Sequence, residues 1–202
     1  FDTKLDLAVD PGSFLERTLS AWNPMSAFGQ LQNQAYGYLF PQGPFFALFD
    51  LIGMPAWLTQ RLWWAVLLTV AYVGVVRVAA ALRIGTRPTR AVAGVLYTLA
   101  PRMIGDLGSI SSEIWPVALA PWVLLPVIRV LQGYMSPRRG GAAAALALAL
   151  MGAVNAVATA AACLPAILWW ALHRPNRTWA RLAAWWIPLS VAVCLWWAIP
   201  LV

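Results

Sequence analysis

Charge is scarce in this chain of 202 residues: only 10% of them are charged, while 61% are hydrophobic. A soluble domain carries about 25% charged residues, so an ordinary soluble fold lacks the polar surface to cover this much apolar mass. High hydrophobicity with little charge also excludes a disordered chain. Cysteine is nearly absent: Cys163 and Cys194 both sit in apolar stretches, which excludes a disulfide framework and a thiolate metal site by spacing. His173 is the single histidine, so no histidine cluster exists to hold a metal. No Asp-x-Asp occurs, and no acid lies between Glu113 and Val202. No secretory signal pattern opens the chain. It starts at Phe1 without Met and stops inside an apolar run at Leu201-Val202, so it reads as a piece of a longer protein.

What is present is tryptophan, 13 residues of it, and Trp gathers where lipid meets water. Apolar runs cover about 62–82, 91–105, 115–132, 142–155, 157–172 and 183–202. A perpendicular helix needs about 20 apolar residues to cross ~30 Å of hydrocarbon. The first, third and last runs meet that length or come near it; the other three are short. Pro101, Pro116, Pro121, Pro126, Pro165 and Pro188 interrupt several runs, which predicts broken helices lining an enclosed or wet cavity. Ahead of the runs, Asp10-Pro11 predicts a helix start. The helix carries Phe14, Leu15, Leu19 and Trp22 on its apolar side. Phe45–Leu51 reads as a second short helix lying on the membrane. Pro55 starts a third, which continues into the first span.

The charges that do occur are segregated. Residues 1–60 hold five acids and two bases; residues 61–202 hold two acids and twelve arginines. Eight of those arginines (Arg83, Arg87, Arg90, Arg138, Arg139, Arg174, Arg177 and Arg181) fall in three alternate joints that contain no acid. Asp106 and Glu113 fall in the joint between. Arginine-rich joints belong in the cytoplasm, so residues 1–60, both of those acids and the far end lie outside, consistent with six crossings. Arg77 is close enough to the inner end of its span to snorkel to that face. The net charge of +7 thus marks membrane orientation and not a nucleic-acid surface.

Four outward segments can carry chemistry. Asp2 and Asp6 flank Lys4 at a membrane boundary; a carboxylate there can take a proton from an attacking hydroxyl or hold a divalent cation, or it is a solvated loop. Gln32, Asn33 and Gln34 with Tyr36 and Tyr38 suit a sugar-binding surface, amides bonding hydroxyls and rings stacking; an interfacial anchor is the alternative. Arg61 and Arg102 lie on the side where positive charge is sparse, where a guanidinium fork matches a lipid phosphate or merely meets headgroups. Glu113 is either a second carboxylate in the same cavity or part of a helix start, with Ser111 or Ser112 as the N-cap. Asn155 and Thr159 read as structural residues at a tight turn.

Four stretches carry a resemblance: Asp2-Thr3-Lys4-Leu5-Asp6-Leu7, Gln32-Asn33-Gln34-Ala35-Tyr36-Gly37-Tyr38-Leu39-Phe40-Pro41, Gln60-Arg61-Leu62-Trp63-Trp64 and Ile110-Ser111-Ser112-Glu113. In this order they resemble the N-terminal membrane region of the mycobacterial arabinofuranosyltransferase D (AftD) family, similar to the GT-C class of polytopic glycosyltransferases. The resemblance implies decaprenyl-phosphoryl-arabinose as donor. It implies the arabinan of arabinogalactan or lipoarabinomannan as acceptor, and an α-(1→3) branch as product. It implies a longer chain, with a span before Phe1 and further spans and carbohydrate-binding modules after Val202. By position Asp2 matches the acidic residue after the family's first span, the general base of the class, with Asp6 and Glu113 as further carboxylates. Arg61, Arg102 and Lys4 are assigned to the donor phosphate by location alone. No cofactor is implied with certainty; a divalent cation remains open.

The fold expected is therefore an all-α polytopic membrane protein, a GT-C-like fragment. It has about six transmembrane helices over 61–202 and a periplasmic loop with interfacial helices and the active site over 1–60. The expected setting is the bacterial inner membrane with the site facing the periplasm. A transporter or flippase for a lipid-linked saccharide is the rival, as is a non-catalytic scaffold that binds glycan. A transporter places polar residues through the midplane, whereas the chemistry-bearing residues here crowd the outer boundary.

Overall fold

A computed structural model describes residues 5–20, 22–23, 28–31 and 36–199. These form ten α-helices: α1 (Leu5–Val9), α2 (Pro11–Thr18), α3 (Gln42–Leu51), α4 (Ala56–Ala81), α5 (Arg87–Thr98), α6 (Pro101–Leu107), α7 (Ser111–Leu131), α8 (Pro137–Ala149), α9 (Ala156–Ala171) and α10 (Arg177–Ala198). A minimal antiparallel pair, Trp22–Asn23 with Gln30–Leu31, is the one extended feature among the described residues. The amphipathic helix expected from Asp10-Pro11 is α2, and it stops at Thr18. Leu19 and Trp22 fall beyond its end and are exposed, so Phe14 is its buried anchor. Asp10 caps α2, its carboxylate accepting from the Ser13 amide at 3.0 Å. Hydrogen bonding from Ser13 holds the Asp10 carboxyl below its ordinary value.

The centre of the bundle is α7. Of the three helices long and apolar enough to cross a membrane, its apolar stretch is 72% buried, against 17% for α4 and 11% for α10. It packs against α4, α8 and α9, while α10 lies mainly on α8. Without a hydrophobic drive in lipid, such packing depends on close approach of small residues. Gly141 meets that need: a Cβ there would stand 2.9 Å from the Trp186 backbone nitrogen of α10.

Six helices stand where six crossings are expected, and among the described residues three of them reach span length. α5, α8 and α9 have 12, 13 and 16 residues, which at 1.5 Å per residue rise about 18, 20 and 24 Å. α5 ends before Pro101, which opens the separate helix α6. The expected breaks inside α7 do not occur: Pro116, Pro121 and Pro126 all lie within one continuous helix. A helical proline leaves the carbonyl four residues earlier without a donor. Pro121 does this to Val117, and the Tyr97 hydroxyl of α5 donates to that carbonyl at 2.7 Å.

Contacts between joints sort the helix ends. Arg83 donates to the Tyr134 hydroxyl at 2.6 Å and Gln132 to the Ala81 carbonyl at 3.2 Å, so two arginine-rich joints share one end. Arg138 lies over the Trp185 ring, 5.4 Å from its centroid, tying the start of α8 to the first half of α10.

 At the opposite end Tyr38 meets Ser112, Gly37 meets Ala153 and Asn155 meets Glu113. The arginine-rich joints and the acidic joint thus occupy opposite ends of the bundle.

Candidate functional site

The acidic end is built on the start of α7. Ser111 and Ser112 are buried there, and neither caps the helix: Ile110 occupies the N-cap position without a side-chain bond. Ser111 instead accepts from the Trp63 indole at 3.1 Å, and Ser112 pairs with the Tyr38 hydroxyl at 3.1 Å. Both serines therefore fasten neighbouring segments to α7, which corrects the capping expectation. Tyr38 is corrected with them. It is only 2% exposed, its ring meets Phe14 edge-on at 6.1 Å, and its hydroxyl is engaged, so no face is left for a sugar. Gly37 beside it is required for the same docking: a Cβ there would stand 2.5 Å from the Val154 backbone nitrogen.

Tyr36 is half-buried and packs on the Trp196 ring of α10 at 5.7 Å. Gln32, Asn33 and Gln34 lie outside the described residues, as do Asp2 and Lys4. Asp6 is exposed on α1, with its carboxylate 3.9 Å from Arg17. Arg61 is exposed on α4 and lies 5.1 Å from the ring centroid of Trp57, one turn earlier. Its neighbour Gln60 is buried, and its amide nitrogen has no hydrogen-bond partner among the described residues.

Arg102 and Glu113 do come together. Arg102 pairs with Asp106 at 2.5 Å and with Glu113 at 3.5 Å. The expected phosphate ligand is thus matched by two carboxylates, and the three side chains sum to one negative charge. The second Glu113 oxygen accepts from the Asn155 amide at 2.9 Å. Sequence reading places Asn155 at a turn but misses this role. An asparagine before a helix reads as a cap, which it is, accepting from the Val157 and Ala158 amides at 2.9 and 3.1 Å; the amide nitrogen left over reaches Glu113.

Arg102, Glu113 and Asn155 form the rim of a cavity of about 500 Å³ between α5, α7 and α9. Its walls continue down the bundle through Val117, Ala158, Ala162 and Pro165, with Tyr97 alongside. The cavity is polar at its mouth and apolar in depth. Arg61 does not line it. Among the described residues no group of three or more His, Cys, Asp or Glu is placed to hold a metal ion.

The profile of the alpha-(1->3)-arabinofuranosyltransferase N-terminal GT-C domain matches residues 1–202, the whole chain. This chain belongs to that family. An alpha-(1->3)-arabinofuranosyltransferase of Mycolicibacterium smegmatis is 56% identical over 200 residues, covering 99% of this chain and 14% of the relative. One of Mycobacterium tuberculosis is 56% identical over 202 residues, with the same coverage. A cryo-EM structure of the arabinofuranosyltransferase AftD from Mycobacteria superposes with a TM-score of 0.95 at 58% identity, over 99% of this chain and 15% of that one. The chain therefore spans about one seventh of the curated relatives' length. As an N-terminal GT-C domain of the AftD family it is an all-α membrane protein, and its rim of Arg102, Glu113 and Asn155 belongs to that domain.

Proposed function

We propose that this domain works, within its full-length chain, in an arabinofuranosyltransferase that uses decaprenyl-phosphoryl-arabinose and extends the arabinan of arabinogalactan or lipoarabinomannan with an α-(1→3) branch. The observation that carries the reading is the match to the family over residues 1–202, at 56% identity to relatives bearing that name. In this reading Asp2 is the general base. The acceptor hydroxyl oxygen attacks the anomeric carbon, the bond from that carbon to the phosphate oxygen breaks, and the hydroxyl proton passes to Asp2. Decaprenyl phosphate leaves. Arg61 and Lys4 are proposed to stabilise the leaving phosphate, and Gln32, Asn33, Gln34 and Tyr36 to hold sugar.

The cavity of about 500 Å³ supports the same reading. A polyprenyl-linked sugar is amphipathic in the same sense, with a polar head and an apolar tail. Glu113, held from both sides by Arg102 and Asn155, is proposed to position sugar hydroxyls at the rim. Such a site faces the periplasm of the inner membrane in this reading. A divalent cation, if used, would be held by one or two carboxylates together with the donor's phosphate oxygens and water, because the described residues supply no cluster of three or more ligands.

The test is Asp2→Asn in the full-length protein, which keeps size and removes the base. The variant is expected to express and fold like the wild type and to transfer no arabinose from the lipid donor. Near-normal transfer would remove Asp2 from the mechanism and transfer the role to Asp6 or Glu113.

A further inference from the structure

At the arginine-rich end a second cavity, of about 280 Å³, lies between α4, α7 and α8. Arg77 and Arg129 line it together with Trp122, Leu125 and Leu119. Its construction starts at Gly74, where a Cβ would stand 2.8 Å from the Trp122 indole nitrogen. The missing side chain lets Trp122 lie across α4 and donate to the Val70 carbonyl at 2.9 Å. The Arg77 guanidinium then sits 5.5 Å from the centroid of that ring. Arg77 is thereby held at the groove, about 32 Å along α4 from Ala56 at 1.5 Å per residue. Arg129 is half-buried in the last turn of α7.

Neither arginine has a carboxylate partner among the described residues. The sequence holds no acid from Leu51 to Gly105 or after Glu113, and the acids that pair elsewhere lie at the other end of the bundle. Two guanidinium groups brought to one groove at the edge of the hydrocarbon, with no carboxylate beside them, leave donors for an anion. Away from them the groove runs from Leu125 to Leu119 along apolar walls, a path suited to a hydrocarbon chain.

We propose that this groove is a binding site for an anionic phospholipid, its phosphate held by Arg77 and Arg129 and an acyl chain laid along α7 toward Leu119. The site lies at the end opposite Glu113 and does not rest on the glycosyltransferase reading. A basic pocket between membrane helices with an apolar floor is suited to such a headgroup, and the guanidinium fork matches phosphate oxygens.

Full-length protein in neutral detergent is titrated with phosphatidylglycerol, phosphatidylcholine or inorganic phosphate, reading bound lipid by native mass spectrometry and thermal stability in parallel. Phosphatidylglycerol is expected to bind and raise the melting temperature, while phosphatidylcholine and inorganic phosphate do neither. Arg77→Gln and Arg129→Gln are each expected to weaken phosphatidylglycerol about fivefold. Arg138→Gln, at the same end but outside the groove, is expected to leave it unchanged. Unchanged affinity in both groove variants overturns the proposal. Equal weakening by Arg138→Gln overturns it in favour of diffuse attraction. Stabilisation by inorganic phosphate alone overturns it in favour of a free-anion site.

Discussion

Asn155 uses both halves of one amide: its oxygen caps α9 through two backbone amides, and its nitrogen holds Glu113. Arg102 holds the other side of that carboxylate and Asp106 as well. The arrangement fixes Glu113 in one place at the mouth of the cavity, and it makes a discriminating substitution available. Asp caps helices about as well as Asn, so Asn155→Asp preserves the α9 cap while replacing a donor with a second carboxylate beside Glu113. Like charges that close cannot both stay ionised without cost. The variant is expected to lose thermal stability at pH 8 by about 1–2 kcal/mol, taking one pKa unit as about 1.4 kcal/mol. The loss should shrink as the pH falls toward 5, because protonation of either carboxylate removes the repulsion. Melting curves of wild type and variant across that range check it. A loss independent of pH would overturn the repulsion between the two carboxylates and leave only the lost Asn155–Glu113 hydrogen bond as its source.

At the scale of elements, α7 shows how a proline-rich helix stays whole. Pro121 strips the Val117 carbonyl of its helical donor, and Tyr97 from α5 supplies another at 2.7 Å. Tyr97→Phe removes only the hydroxyl and leaves that carbonyl unpaired. An unsatisfied buried polar group costs about 1–3 kcal/mol, so the variant is expected to melt earlier by that amount, with a smaller cost if lipid or water reaches the carbonyl. Unchanged melting would mean that the bond contributes nothing. Much of this architecture was legible in the residues. The apolar runs located the helices, and Asp10-Pro11, Asn155 and Pro55 marked starts that the structure has. Helix lengths were less legible, because an apolar run does not distinguish a short helix followed by a loop from a full span, as at Leu150–Val154 after α8. The site was the least legible part. Tyr38 among amides reads as a sugar platform, and nothing local shows that Ser112, 74 residues away, takes its hydroxyl. Arg102 reads as a free cation for the same reason: its partners Asp106 and Glu113 are acids of unknown direction until the helices are placed.

At the scale of the whole molecule, charge is sorted by end. The joints after α4 and α7 meet through Arg83 and Tyr134, and the acids Asp106 and Glu113 stand at the opposite end with Arg102. Lys and Arg near span ends are retained on the cytoplasmic side during insertion, whereas acids contribute little to orientation. Eight arginines in three joints with no acid among them make the inverted arrangement unfavourable. The joints after α4, α7 and α9 are therefore expected to be cytoplasmic and the Glu113 end periplasmic. Single cysteines test this in the full-length protein, with Cys163 and Cys194 replaced by alanine and no other reactive thiol. Thr86, Ser136 and Pro175 are exposed positions, one in each arginine-rich joint, and Ser109 is exposed at the acidic end. In intact cells an impermeant thiol reagent is expected to label Ser109→Cys and to spare Thr86→Cys, Ser136→Cys and Pro175→Cys until the membrane is permeabilised. Labelling of the three in intact cells, with Ser109→Cys spared, would invert the orientation and move the cavity beside Glu113 to the cytoplasmic side, where a periplasmic acceptor could not reach it.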